Sequence, residues 1–201
     1  VNEREWFTVV DAPRTLARGS ERASDRKLRL FAIACCRRLA HHFAARFAAA
    51  LAEAEALADE TPPKARRVGR AARRHDTDLL HALADPRTAT AAWLAAERAI
   101  AAVEALGGMA WGERAFHAAC PIDLIGNPFR PPQCAAEWRA ETARALAHQF
   151  YARGEPASLP NLADALEEAG RDDEQVLAHC RDIRQPHVRG CWVVDLVLGR
   201  D

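Results

Sequence analysis

The side chains best suited to chemistry lie near the end of the chain. Six residues separate Cys180 from His187, three separate His187 from Cys191, and His179 stands beside Cys180. Thiolate sulfur and imidazole nitrogen are the donors zinc favours. On a helix, His187 and Cys191 would be i and i+4 and would share a face, a spacing that zinc sites use. A fourth ligand is available from His179, or from Cys35 or Cys36, which would staple the two ends of the chain. The candidate metal set is therefore Cys180, His187, Cys191, His179 and Cys36, and the expected cofactor is zinc or none. A plainer reading makes Cys180 and Cys191 buried thiols and His187 a polar turn residue, since no CxxC pair strengthens the pattern.

Other constellations are thinner. His41 or His42, then His75-Asp76, then Asp123 has the order of the H…HD…D metal set of helical phosphohydrolases, in which a divalent ion activates water. Those histidines sit in ordinary Ala/Arg helix, which argues for the bland alternative. Arg66, Arg70 and Arg73 share one helix face and offer a phosphate site; a solvated face with Asp76 and Asp78 as partners competes with it. No aromatic interleaving or helix-turn-helix supports nucleic acid. Cys120-Pro121 reads as a helix break rather than a thiolate ligand to haem. The chain has no P-loop, no G-x-G-x-x-G and no G-x-S-x-G. Trp111, Phe129 and Trp138 are expected to pack the central GNPFRPP loop onto the helices, and a groove lined by Arg130 and Trp192 would be a partner site.

These groups must be positioned by helices. The chain has 201 residues, of which 45 are alanine, 26 arginine and only 2 lysine. Alanine and arginine are strong helix formers, and β-branched runs are nearly absent before Val193-Val194. Ser24 or Asp25 can cap a first helix whose Leu28, Phe31, Ala32, Cys35 and Leu39 form one apolar stripe, with Arg26, Arg29 and Arg37 mostly off it. A second helix carries Phe47, Leu51, Ala54 and Ala58. Thr61-Pro62-Pro63 and Asp85-Pro86 restart the chain, and Gly107-Gly108 ends an Ala-rich helix. Trp111 to Ile125 reads helical with a break at Pro121. A later helix runs through Trp138, Leu146, Phe150 and Tyr151 to Gly154. Ser158 is expected to cap LPNLADALEEAG, and acids open the helix DDEQVLAHCR. The last segment reads as a helix with Pro186 near its first turn and Gly199 at its end.

Length permits one domain or two small ones. Charge is balanced overall, 28 basic against 28 acidic side chains, but residues 1–110 carry four more basic than acidic groups and residues 111–201 the reverse. One helical domain over 1–201 is the reading, with a subdivision into 1–108 and 109–201 compatible with that split. Zero net charge argues against a dominant nucleic-acid or membrane-surface role. No window is apolar and long enough to span a bilayer, and no signal-peptide core opens the chain. The chain begins at Val1, which is not expected to be the natural start. Six cysteines, two of them adjacent, read as reduced thiols in a cytoplasmic protein rather than as a disulfide frame.

Four stretches carry a family likeness: ASDRKLRLFAIACCRR (Ala23 to Arg38), GNPFRP (Gly126 to Pro131), LADALEEAGRDDEQVLAHCR (Leu162 to Arg181) and HVRGCWVVDLVLG (His187 to Gly199). With EREW near the start, the chain resembles a family of uncharacterised proteins and domains abundant in planctomycete bacteria. Residues 46–110 match it only in composition. The resemblance implies that the ACCRR helix and the HC…HVRGCW segment are defining parts, and it implies no activity, substrate or cofactor. Ile33 stands where that family's motif more often has a cysteine, so a ligand there is absent.

The sequence thus leads to an all-α bundle of eight or nine helices. Its expected function is a non-catalytic interaction or regulatory module with a protein partner, with or without a structural metal. A metal-dependent enzyme using His/Cys or His/Asp ligands is the alternative.

Overall fold

The computed structural model describes residues 2–8, 23–43, 45–59, 88–132, 140–170 and 172–200. Among these residues there are nine α-helices and no strand, so the fold is all-α, as expected. The helices are α1 (Glu3–Thr8), α2 (Asp25–Arg38), α3 (Ala45–Ala58), α4 (Thr88–Ala105), α5 (Trp111–Ile125), α6 (Glu141–Arg153), α7 (Leu159–Glu168), α8 (Glu174–Arg181) and α9 (Trp192–Leu198). None of them is long and apolar enough to cross a membrane. The chain forms two compact units, one over Glu3–Pro121 and one over Ile122–Asp201 with Asn2. The basic segment Arg66–Arg74, His75-Asp76, Cys134 and Trp138 lie outside the described residues.

In the first unit α2 is the central element and packs against α3 and α4. Ser24 caps it: the side-chain oxygen accepts the Lys27 N–H at 3.3 Å, satisfying one of the donors a helix start leaves open. Every residue from Lys27 to Cys36 is buried. Burial thus extends all round the helix and includes Arg29, a residue the apolar stripe alone places off the core. The α4 face presents Ala91, Ala92, Ala95, Ala96 and Ala99, all buried, a set that recurs with the helix period. Small residues there allow a close approach of α2, whose own buried residues include Leu30, Phe31 and Ile33. Trp93 points the other way and is half exposed. Arg38 clamps Glu113 of α5 with bonds of 2.7–2.9 Å and lies 4.6 Å over the Phe116 ring.

Within this unit His117 is fully buried. Its ring stands edge-on to Phe31 at 6.3 Å, and neither nitrogen meets a hydrogen-bond partner. Glu113 Oε2 is 3.8 Å from Nε2, beyond bonding distance. Burial is the main cause that brings the imidazole down to about 4, against the opposing pull of Glu113 and with help from Arg38 and Arg114. Because the folded value lies below that of the unfolded chain, near 6.5, stability is full above pH 6.5 and falls as pH drops toward 4. Between pH 7 and 5 this contributes a loss of about 2 kcal/mol. Urea unfolding of His117→Phe should show a shallower decline than wild type over that range, and parallel declines would remove the assignment.

The second unit is built from α6 to α9 and the last turn of α5. Its core joins Phe150 and Tyr151 of α6, Leu162 and Leu166 of α7, Val176 and Cys180 of α8, and Val193, Val194 and Val197 of α9. Asp173 caps α8, its Oδ1 accepting from the N–H groups of Gln175 and Val176 at 3.0 and 3.2 Å. Asn127 shapes the GNPFRP loop. Its Oδ1 accepts from the N–H groups of Phe129 and Arg130, and its Nδ2 donates to Gln175 Oε1 at 3.2 Å.

Several local expectations change. The α5 helix runs through Pro121 instead of breaking there. Proline costs it one backbone bond, and the flanking Cys120 and Leu124, both buried, keep the turns on either side in place. Ser158 forms no side-chain cap; it belongs to a 3₁₀ turn, Pro156–Ser158, and its hydroxyl donates to the Glu155 carbonyl. Trp111, expected against the central loop, faces solvent on the first turn of α5. The final helix starts only at Trp192, so Pro186 to Cys191 is a turn segment.

Candidate functional site

The late start of α9 decides the geometry of the HC…HVRGC segment. His187 and Cys191 are not on one helix face; His187 lies in the turn after α8, and Cys191 is the residue that precedes α9. They meet for another reason. The turn folds back so that both reach Asp123 and His179.

Asp123 occupies the last turn of α5 in the run Pro121-Ile122-Asp123-Leu124-Ile125 and is buried. Its Oδ1 lies 3.1 Å from His179 Nε2 and 3.0 Å from His187 Nδ1, and its Oδ2 accepts the Val188 N–H at 2.8 Å. His179, on α8, also places Nε2 3.3 Å from Cys191 Sγ. The other nitrogen of His187, Nε2, faces the Asp182 carbonyl at 3.2 Å. The two imidazole rings stand edge to face with centroids 4.8 Å apart, and the Trp192 indole lies 5.3 Å from His179.

Electrostatics follow from these contacts. Burial alone would push the Asp123 carboxyl up, but the hydrogen bonds and charges of His179 and His187 outweigh it and hold the group at about 2. Burial opposes charge on His187, yet the bond to Asp123, its charge and the Asp182 carbonyl raise this imidazole above its ordinary value. Both His187 nitrogens face acceptors, which suits a ring carrying both protons. Burial, and then the Asp123 charge, push the Cys191 thiol well up.

One ligand atom from each of Asp123, His179, His187 and Cys191 lies within 4.8 Å of every other, the group among the described residues arranged to hold a metal ion. The structure thus brings together three of the residues singled out in the sequence, His179, His187 and Cys191. Cys180 is buried in the core of the same unit, where burial pushes its thiol up to about 12, and it is not one of the four. Cys36 is buried on α2 in the first unit. Among the described cysteines, Cys35, Cys36, Cys120, Cys180 and Cys191 are all buried and none is in a disulfide. His41 and His42 are exposed on a 3₁₀ turn, Ala40–His42, of the first unit.

No protein-family model, curated protein or solved structure matches the chain. Asp123 is the member that spacing arguments passed over as a partner of the C-terminal residues. The signal available was a lone carboxylate between apolar neighbours, Ile122 and Leu124, at the end of a helix, a position that buries it and obliges it to find donors.

Proposed function

We propose that the protein is a non-catalytic helical module for interaction or regulation with a protein partner, and that the polar centre of its second unit is architecture rather than catalytic machinery. The observation that carries this reading is the full use of Asp123: both carboxylate oxygens accept from donors of its own unit, on α8 and in the turn before α9. A general base or nucleophile needs an oxygen facing substrate. The family likeness of the motifs and a cytoplasmic setting, suggested by the buried thiols, belong to the same proposal. A metal-dependent enzyme is the second reading, favoured by the convergence of Asp123 with two histidines.

Accessibility separates the two. Carbethoxylation of native protein, followed by mass spectrometry, should mark the exposed His41, His42 and His148 quickly and His187 only on unfolding. Fast modification of His187 in a still-folded chain would mean an open site and would sink the architectural reading.

A further inference from the structure

The centre has the donor set and the spacing of a metal site. We infer that Asp123 Oδ1, His179 Nε2, His187 Nδ1 and Cys191 Sγ bind one zinc ion in a closed tetrahedral site that ties α5, α8 and the start of α9 together. The inference rests on the architectural reading of this centre and adds its ligand.

Three lines carry it. The first is distance. In a tetrahedral zinc complex with metal–ligand bonds of about 2.0–2.3 Å, neighbouring ligand atoms lie about 3.3–3.6 Å apart. Three of the edges here are 3.0, 3.1 and 3.3 Å. All the ligand atoms lie within 4.8 Å of one another, so no edge has to close by more than about 1.2 Å on binding. The second is the outer layer. Metal-bound histidines hand their remaining N–H to a carbonyl or carboxylate, and metal-bound carboxylates are themselves hydrogen-bonded. His187 Nε2 faces the Asp182 carbonyl and Asp123 Oδ2 takes the Val188 N–H; these bonds stay, while Nδ1 and Oδ1, bonded to each other without the ion, exchange that bond for the metal. The third is charge. One carboxylate, one thiolate and two neutral imidazoles cancel the two charges of zinc, so a buried centre stays neutral; the protons given up by Cys191 and by the ring nitrogens go to solvent. A thiolate with imidazoles selects zinc over magnesium or calcium, which take oxygen ligands. Four protein ligands leave no position for a substrate, the mark of a structural site.

The test uses the full chain without a histidine tag, stripped by chelator and titrated with zinc or cobalt(II). Mass spectrometry of the metal should give one zinc per chain. The cobalt form should show the intense visible bands of a tetrahedral ion and a near-ultraviolet thiolate-to-cobalt charge-transfer band. Cys191→Ser should abolish that band and weaken zinc by more than the 10–100-fold that loss of an outer partner costs. Cys180→Ser should keep both. If Cys191→Ser does not fold, the charge-transfer band of the wild-type cobalt form decides alone. Wild-type protein that takes up substoichiometric zinc, or cobalt in an octahedral form without the thiolate band, overturns the site. Carbethoxylation of metal-free protein tests the architectural reading separately, since slow labelling of His187 there with no zinc bound leaves that reading intact. A cobalt spectrum that shifts on adding azide would reveal an open position and remove both the closed site and the non-catalytic reading.

Discussion

Asp123→Asn is expected to destabilise the metal-free second unit by about 3–5 kcal/mol, the usual consequence of removing one partner from a buried ion pair. The amide keeps the shape of the carboxylate but not its charge. It turns an N–H₂ toward His179, His187 or the Val188 N–H, all of which need an acceptor. The pH dependence has a definite sign. Asp123 is held at about 2, below its ordinary value, so its contribution is full above about pH 4 and is lost as pH falls through 2. His187 is raised, so the stability that its proton confers is full below about pH 6.5 and is lost as pH climbs through the folded value. The two statements describe one pair, strongest between those limits. Urea unfolding of chelator-treated wild type and Asp123→Asn at pH 5.5 should show the widest gap, and at pH 2 the gap should narrow. Equal midpoints at pH 5.5 would show that the carboxylate is not holding the centre.

Trp192→Ala should cost a similar amount, about 3–5 kcal/mol, the range for truncating a buried aromatic residue. Trp192 is 8% exposed and its indole forms a wall of the polar centre beside His179. It also covers Gly126, where the chain leaves α5 at φ +72° and where an added Cβ would lie 2.9 Å from a ring carbon. Removing the ring opens a cavity between the GNPFRP loop and α9, and water admitted there competes for the Asp123 bonds. The melting temperature should drop sharply. An unchanged melting temperature with a lost partner interaction would make Trp192 a contact residue instead.

What the sequence discloses depends on how local the cause is. The α2 stripe, the Ser24 cap, the acids that open α8 and the glycines at 107, 154, 170 and 199 are decided within one or two turns, and they appear where short-range chemistry puts them. Pro121 misleads because its local cost, about 3 kcal/mol in a helix interior, is offset by burial of the residues around it, which no window of sequence displays. The HVRGC stretch misleads in the opposite way. Spacing of i and i+4 suggested one helix face, whereas a turn delivers His187 and Cys191 to the same point from different directions. Asp123 has no periodic relation to either histidine. It is joined to His179 across 56 positions and to His187 across 64, and only the tertiary fold states that relation.

That separation has a consequence for how the chain is made. A growing polypeptide can form α6, α7 and α8 and bury much of their shared apolar surface while the residues of α9 are still being assembled. Asp123 emerges early; His179 on α8 is the first of its partners to follow, whereas His187, 64 residues downstream, and the backbone N–H of Val188 come later. Until the stretch ending at Cys191 leaves the ribosome, the last turn of α5 gains less from docking, because docking would bury Asp123 Oδ2 without its Val188 donor. The stretch from His187 to Cys191 therefore acts as a latch on the folding of this unit. A nascent chain arrested before His187 should remain open to protease near Asp123, and one arrested well beyond Gly199 should be closed.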